Sequence, residues 1–451
     1  MDSPAVVDFE PQGARPGADS SRALMDFELP IVYPDTASPP GYLYGGSHDD
    51  SGPSRRHQAS LISAQSRLVF TALPVPIPAH YLDMAPPTSS KRHEQHASSS
   101  STSEEKRPLS EVAREAVPVL KGLVDKCNDF RCWKLPEGYS WLCLPDQDGK
   151  NRVFGILQPK ISNVVKWTEH GFEVTDVRGA RAANVCIPQD IQEGKVVMPK
   201  GLKPKDITEE FEKINEEYSG RPDLPGLKGE DDKDRVPLVG GHPEVKFPDK
   251  LGVYLGILQV GVHLTVYHVD DRGGLHVYVQ HRSETASYGG MLDQTAAGGL
   301  LHGETVREGL MRETKEEHSR GLVEDAKAAR YEGSVVFSMV RPEQANKLRS
   351  TLEISTKACF AAKTEKMWAP KTESADGNVK RFEWMTAERV VKALKAGRFK
   401  PNCALVMIRF LIDRNILNRD SPDVQALERS LKSDIPFLVP KGLEMYGTAS
   451  S

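Results

Sequence analysis

The chain has 451 residues, 38% of them hydrophobic, with a formal net charge of −4 and a mean hydropathy of −0.46. That charge gives no support for a polyanion partner, since nucleic-acid binders carry basic patches, and no run of 18 or more apolar residues offers a membrane span. Six cysteines (Cys127, Cys132, Cys143, Cys186, Cys359, Cys403) fit neither a zinc spacing nor a dense disulfide framework, so reduced thiols in a cytoplasmic protein are expected.

Residues 1–105 read as a disordered arm. Stretches such as SPPGYLYGGSHDDSGPSRRHQAS and HASSSSTSEEK mix Ser, Pro, Gly and both charges without periodicity, and cannot bury enough apolar surface to offset chain entropy. The opening MDSPAVVDFEPQGARPGADSS places acids and prolines before any apolar core, unlike a signal or transit peptide. LISAQSRLVFTALPVPIPAHYL, residues 61–82, is more apolar and reads as a loosely ordered extension.

Residues 106–240 read as a small α/β domain. A helix opens it, with Val112, Ala116, Val119, Leu120, Leu123, Val124 and Cys127 at helical spacing. Pro118 should kink or split that helix. YSWLCL, NRVFGILQP and GFEVTD follow as strands, then a helix carrying Ile207, Phe211, Ile214 and Tyr218 on one face and stopped by Gly220. Trp133, Trp141 and Trp167 are expected in its core. GRPDLPGLKGEDDKDRVP, residues 220–237, reads as a polar linker.

A second folded unit runs over 245–435, with residues 436–451 as a tail. GVYLGILQVGVHLTVYHV reads as strand broken at Gly256 and Gly261, and pairs through a turn at 270–274 with LHVYVQHRS. His263 and His268 are expected to be structural. SVVFSMV, KACFAAK and KRFEWM are further strands, and helices near 387–396 and from Pro401 onward close the unit. Arg398 and Lys400, beside the last helix, are expected to be solvated.

Between these strands lies GGLLHGETVREGLMRETKEEHSRGL. Glu313, Glu316 and Glu317 stand at i, i+3 and i+4, on one helical face. Crowded like charges cost an isolated helix a few tenths of a kcal/mol per pair, which a shared cation would offset. Carboxylate oxygens suit Mg²⁺ or Mn²⁺, ions that also bind substrate phosphates. Gly298 and Gly299 precede the helix and let the chain turn sharply. Arg282 ends a strand nearby and is a candidate phosphate contact.

The spacing G-x5-E-x7-R-E-x-x-E-E, carried by Gly298, Glu304, Arg312, Glu313, Glu316 and Glu317, resembles the Nudix box. That family hydrolyses a diphosphate linked to another moiety. The resemblance implies an α/β/α sandwich around a mixed sheet and a divalent metal. It implies Glu316 and Glu317 as leading metal ligands, Glu313 as ligand or base, the Gly298 carbonyl in the metal shell, and a structural Glu304–Arg312 pair. The box usually ends in glycine and an aliphatic residue; here Ser319 and Arg320 stand there, with Gly321-Leu322 two residues late, which reads as a shifted helix end capped by Gly321. GVHLTVY, YGGMLDQTAAGGL and GRFKPNCALVMIRFLI are similar to the thiamine pyrophosphokinase-related Nudix subfamily of fungi and plants, whose members carry an extra N-terminal domain. This implies hydrolysis of thiamine diphosphate, or its oxidised or damaged analogues, to the monophosphate. ADP-ribose-like or dinucleotide substrates, and a diphosphate-binding module without turnover, are the alternatives. No G-x-x-x-x-G-K-[ST] motif occurs. Where the subfamily reads D-G-E-V-E, this chain reads Asp376-Gly377-Asn378-Val379-Lys380, leaving Glu373, Asp376 or Glu383 as substitute bases.

Overall fold

The computed structural model describes residues 107–227, 229, 234–317, 322–341, 351–369 and 377–436. The expectations for the arm, for most of the tail, for Ser319–Gly321 and for Glu373 and Asp376 lie outside them.

Helix α1 (Leu109–Lys126) comes first. A four-stranded sheet follows from β1 (Ser140–Pro145), β2 (Asn151–Leu157), β3 (Phe172–Asp176) and β4 (Lys195–Pro199), in the order β2-β1-β4-β3. Helices α2 (Pro159–Ser162), α3 (Val177–Ala182) and α4 (Pro204–Glu217) accompany it. Strands β5 (Arg235–Pro237) and β6 (Lys246–Pro248) pair with each other, and α5 (Asp249–Tyr254) follows directly.

A seven-stranded mixed sheet comes next. It contains β7 (Gln259–Val269), β8 (Leu275–Arg282), β9 (Leu292–Asp293) and β10 (Ala296–Gly299), then, after helices α6 (Val306–Glu317) and α7 (Val323–Ala328), β11 (Arg330–Val340), β12 (Leu352–Thr364) and β13 (Val379–Thr386). Its order is β11-β12-β7-β8-β13, with β10 on β7 and β9 on β8. β12 and β7 run parallel, while the other pairs are antiparallel. Helices α8 (Ala387–Lys395), α9 (Pro401–Asp413) and α10 (Pro422–Ser430) end the described chain.

Alternation along β7 divides the core. Val260, Val262, Leu264 and Val266 pack with Val306 and Leu310 of α6, while Tyr267 and Val269 face the cluster of α1, α8, α9 and α10. Helices therefore cover both faces of a mixed sheet, as the expected α/β/α sandwich requires.

Three local expectations change. Helix α1 runs through Pro118 unbroken. It buries Val112, Ala113, Ala116, Val117, Leu120 and Val124 against α8, α9 and α10, which places it in the core of the second unit rather than the first. The apolar contact holds a helix that has lost one internal hydrogen bond. Second, the stretch 249–254 is helical, with Pro248 at its N-cap and Asp249 in its first turn; the strand starts at Gln259 and passes through Gly261. Third, the segment expected as a polar linker buries Leu224, Leu227 and Val236. Trp141 and Trp167 are core residues as expected. All six cysteines are free, and among the described residues no helix is long and apolar enough to cross a membrane.

Candidate active site

Strand β10 and helix α6 are joined by a short loop, and Arg312 ties the two together. Its Nε donates to Glu304 Oε1 at 2.7 Å, one terminal nitrogen to the Gly299 carbonyl at 2.6 Å and Glu304 Oε2 at 3.1 Å, and the other to Glu313 Oε1 at 2.7 Å. Glu304 also accepts from the Leu301 N–H at 2.9 Å. A planar guanidinium can hold this many acceptors at once, where a lysine could not.

Two carboxylates reach back from α6 to β10. Glu317, 5% exposed, accepts from the Ala297 N–H at 2.9 Å. Glu313 lies over Gly298: a Cβ built there would sit 1.8 Å from its carboxyl carbon. Glycine is thus required at 298 for Glu313 to occupy that space. At Gly299 a Cβ meets nothing within 4 Å, so the two glycines have different jobs. Burial pushes the Glu313 carboxyl above its usual range, against the pull of Arg312. Glu316 is the most exposed of the three and meets Arg312 at 3.3 Å.

The expected metal finds an all-oxygen donor set here. Glu313 and Glu317 come from one helix onto adjacent residues of one strand, and the space over Gly298 holds a carboxylate in place of a side chain. These donors suit a hard divalent ion. Among the described residues, no three His, Cys, Asp or Glu side chains stand at metal-holding distances; Arg312 holds Glu313 and Glu316.

A cavity of about 450 Å³ opens beside β10. Ala297, Gly298 and Gly299 form one wall; Arg341, Glu353, Lys357 and Lys400 supply its charge, and Lys250 of α5 extends it. Tyr288, which also lines it, holds a left-handed backbone at φ 54°, a conformation that costs a non-glycine residue on the order of 1 kcal/mol and clusters at functional sites. His263 lines it too, with its Nδ1 buried and unpartnered; burial lowers its pKa to about 3. Asn378 also lines it, and Glu383 is engaged by Arg381, Arg389 and His281.

Two expectations are corrected. Lys400 is not solvated: it lines the cavity 3.6 Å from Asp293. Arg282 is 7% exposed and does not line the cavity; it donates to Asp293 at 2.7 Å and to the Ser287 carbonyl at 2.6 Å. Its charge holds the loop, and a phosphate would have to displace Asp293 to reach it. Arg282→Met should therefore cost about 3–5 kcal/mol, the usual result of stripping a partner from a buried pair, seen as a lower Tm with KM unchanged. Burial alone would raise the Asp293 carboxyl, but Lys400 and Arg282 outweigh it and hold the pKa at about 2. Glu353 is likewise held at about 2, burial being outweighed by Arg341 and Lys357. A depressed folded pKa contributes stability above the unfolded value of about 4, lost as pH falls toward 2. The urea midpoint should fall across that window, less steeply in Asp293→Asn.

The comparisons fit this geometry. Residues 259–404 match the family model described as the NUDIX domain. Three curated proteins are similar. "Uncharacterized protein YJR142W" of Saccharomyces cerevisiae is 27% identical over 48% of this chain and 64% of its own length. "Nudix hydrolase 20, chloroplastic" of Arabidopsis thaliana is 31% identical over 40% of this chain and 46% of its own. "Nudix hydrolase 24, chloroplastic" of the same plant is 28% identical over 40% and 47%. The match thus spans less than two thirds of each relative's length. The segment matched by that family model begins at Gln259, so Asp249, Lys250 and Val253 bring α5 into the cavity from outside it.

The residues that sequence reasoning missed are Lys357, Glu353 and Arg341. A signal for Lys357 existed: a lysine in KACFAAK, an otherwise apolar strand.

Proposed function

We propose that the protein is a divalent-metal-dependent hydrolase of a diphosphate linkage, acting on thiamine diphosphate or its oxidised analogues to give the monophosphate. The observation that carries the reading is the contact of Glu313 and Glu317 of α6 with β10, a strand whose Ala297, Gly298 and Gly299 also line a cavity with Lys250, Arg341, Lys357 and Lys400, although the two carboxylates are not part of that lining. Such a cavity attracts an anionic ester, and buried carboxylates beside it suit metal-assisted hydrolysis. A bound Mg²⁺ or Mn²⁺ would neutralise diphosphate charge and lower the pKa of water. The chain's own residues do the rest. The lysines orient phosphate oxygens, Glu317 is fixed by the Ala297 N–H, and Glu313 can accept a proton from water. The Glu304–Arg312 pair keeps the loop against the helix.

The thiamine assignment is supported by the resemblance of residues 261–267, 288–300 and 397–412 to that subfamily. The two plant relatives carry the name Nudix hydrolase. A cytoplasmic location belongs to the same reading, supported by the six free thiols. A second reading, a diphosphate-binding module without turnover, is favoured by Arg312, which occupies Glu313 and Glu316.

The test is diphosphate hydrolysis with Mg²⁺ or Mn²⁺ across thiamine diphosphate, its oxidised analogues, ADP-ribose and NADH. Release of a monophosphate from the thiamine compounds alone supports the proposal. Turnover of ADP-ribose or NADH alone overturns the substrate, and tight binding without turnover favours the second reading.

A further inference from the structure

Strands β10, β7 and β12 lie side by side, and their register puts Gly299, Gly261 and Lys357 on one rung. Neither glycine has a side chain, so the rung is open across two strands. Lys357 uses that opening. A Cβ at Gly261 would meet Lys357 Cδ at 2.8 Å, Lys357 Nζ at 2.9 Å and the Gly298 carbonyl oxygen at 3.1 Å. The ammonium and the carbonyl of the Nudix loop therefore flank one small space in the cavity wall.

Lys357 differs from the other cations there. Lys250 is paired with Asp249, and Arg341 donates to Glu353 at 2.8 Å. Lys357 is 8% exposed, and its ion-pair contact among the described residues is Glu353 at 3.8 Å, too long for a hydrogen bond. Its other contact is the face of Phe337, 5.7 Å from the ring centroid. Burying an ammonium without acceptors is costly; burial lowers its pKa, against the pull of Glu353. Arg341 already neutralises Glu353, and Arg282 already neutralises Asp293, which stands 3.6 Å from Lys400, so Lys357 and Lys400 are the cations with charge to spare; of the two, Lys357 is the one that flanks the Gly298 carbonyl.

We infer that Lys357 binds the phosphate oxygens of the substrate beside the Gly298 carbonyl, an assignment that rests on the cavity taking a diphosphate ester. Glycine at 261 is what lets the lysine cross the sheet to reach them. Arg341 acts through Glu353 as a positioning residue.

The test is calorimetric titration of the full chain with inorganic pyrophosphate in Mg²⁺, on the parent, Lys357→Met and Lys357→Gln. Binding weakened about tenfold to a hundredfold in both variants, the size of a lost hydrogen bond to a charged group, with Tm near the parent's, supports the assignment. Lys357→Gln guards against a Met variant that fails to fold. Unchanged affinity in a folded variant overturns Lys357 but leaves the diphosphate reading standing. A parent that binds no pyrophosphate overturns both.

Discussion

Glu317→Gln should abolish nearly all hydrolysis while leaving the fold intact. The substitution keeps size and shape, and the new amide oxygen can still accept from the Ala297 N–H that Glu317 holds at 2.9 Å. What disappears is a negative charge in a buried position on α6. A rate loss of at least about hundredfold is expected, near 2.7 kcal/mol of barrier, with Tm moved by only a few degrees. Activity within about tenfold of the parent, roughly 1.4 kcal/mol, would remove Glu317 from the metal-binding set. The same variant separates enzyme from binding module: a pure binder has no rate to lose.

Gly298→Ala should be nearly as damaging, and Gly299→Ala almost silent. The two positions are adjacent and look alike in sequence. At 298 a methyl group would lie about 2 Å from both Glu313 oxygens; at 299 it would enter open space. The atoms displaced at 298 are the end of a flexible side chain, so the chain still folds. The carboxylate, however, leaves its place on β10. Misplacing a reacting group by about 1 Å costs on the order of a hundredfold in rate. Measured kcat should therefore fall by about that factor in Gly298→Ala and stay within about twofold in Gly299→Ala. Equal losses in both would mean that the Glu313 position does not matter.

These two glycines also show what sequence could reveal. The motif spacing located the loop and the helix, because glycine and glutamate at fixed intervals are local features. Sheet strands and the closing helices were legible for the same reason, through their periodicity. Arg282 and Lys357 were not. Both are cations beside the same loop, and nothing in the neighbouring residues says which one is neutralised. The answer depends on Asp293, which is close in sequence but bonds only through the fold, and on Gly261, some ninety-six residues before Lys357. Residues 252–254 read as strand because Val and Tyr favour strands; the proline and aspartate just before them set a helix over 249–254 instead. By its position in the chain, helix α1 reads as part of the unit that follows it, and only tertiary contact reveals its partners.

That displaced helix has a consequence for synthesis. The apolar face of α1 is complete at Lys126, but α8, against which it packs, starts only at Ala387. At about 5–20 residues per second, the ribosome needs from roughly ten to fifty seconds to supply the partner. Throughout that interval the partners that cover this apolar surface among the described residues are still unmade. Chaperone demand is therefore written into the order of the elements, and slowing translation after α1 should lower the soluble yield of the whole protein.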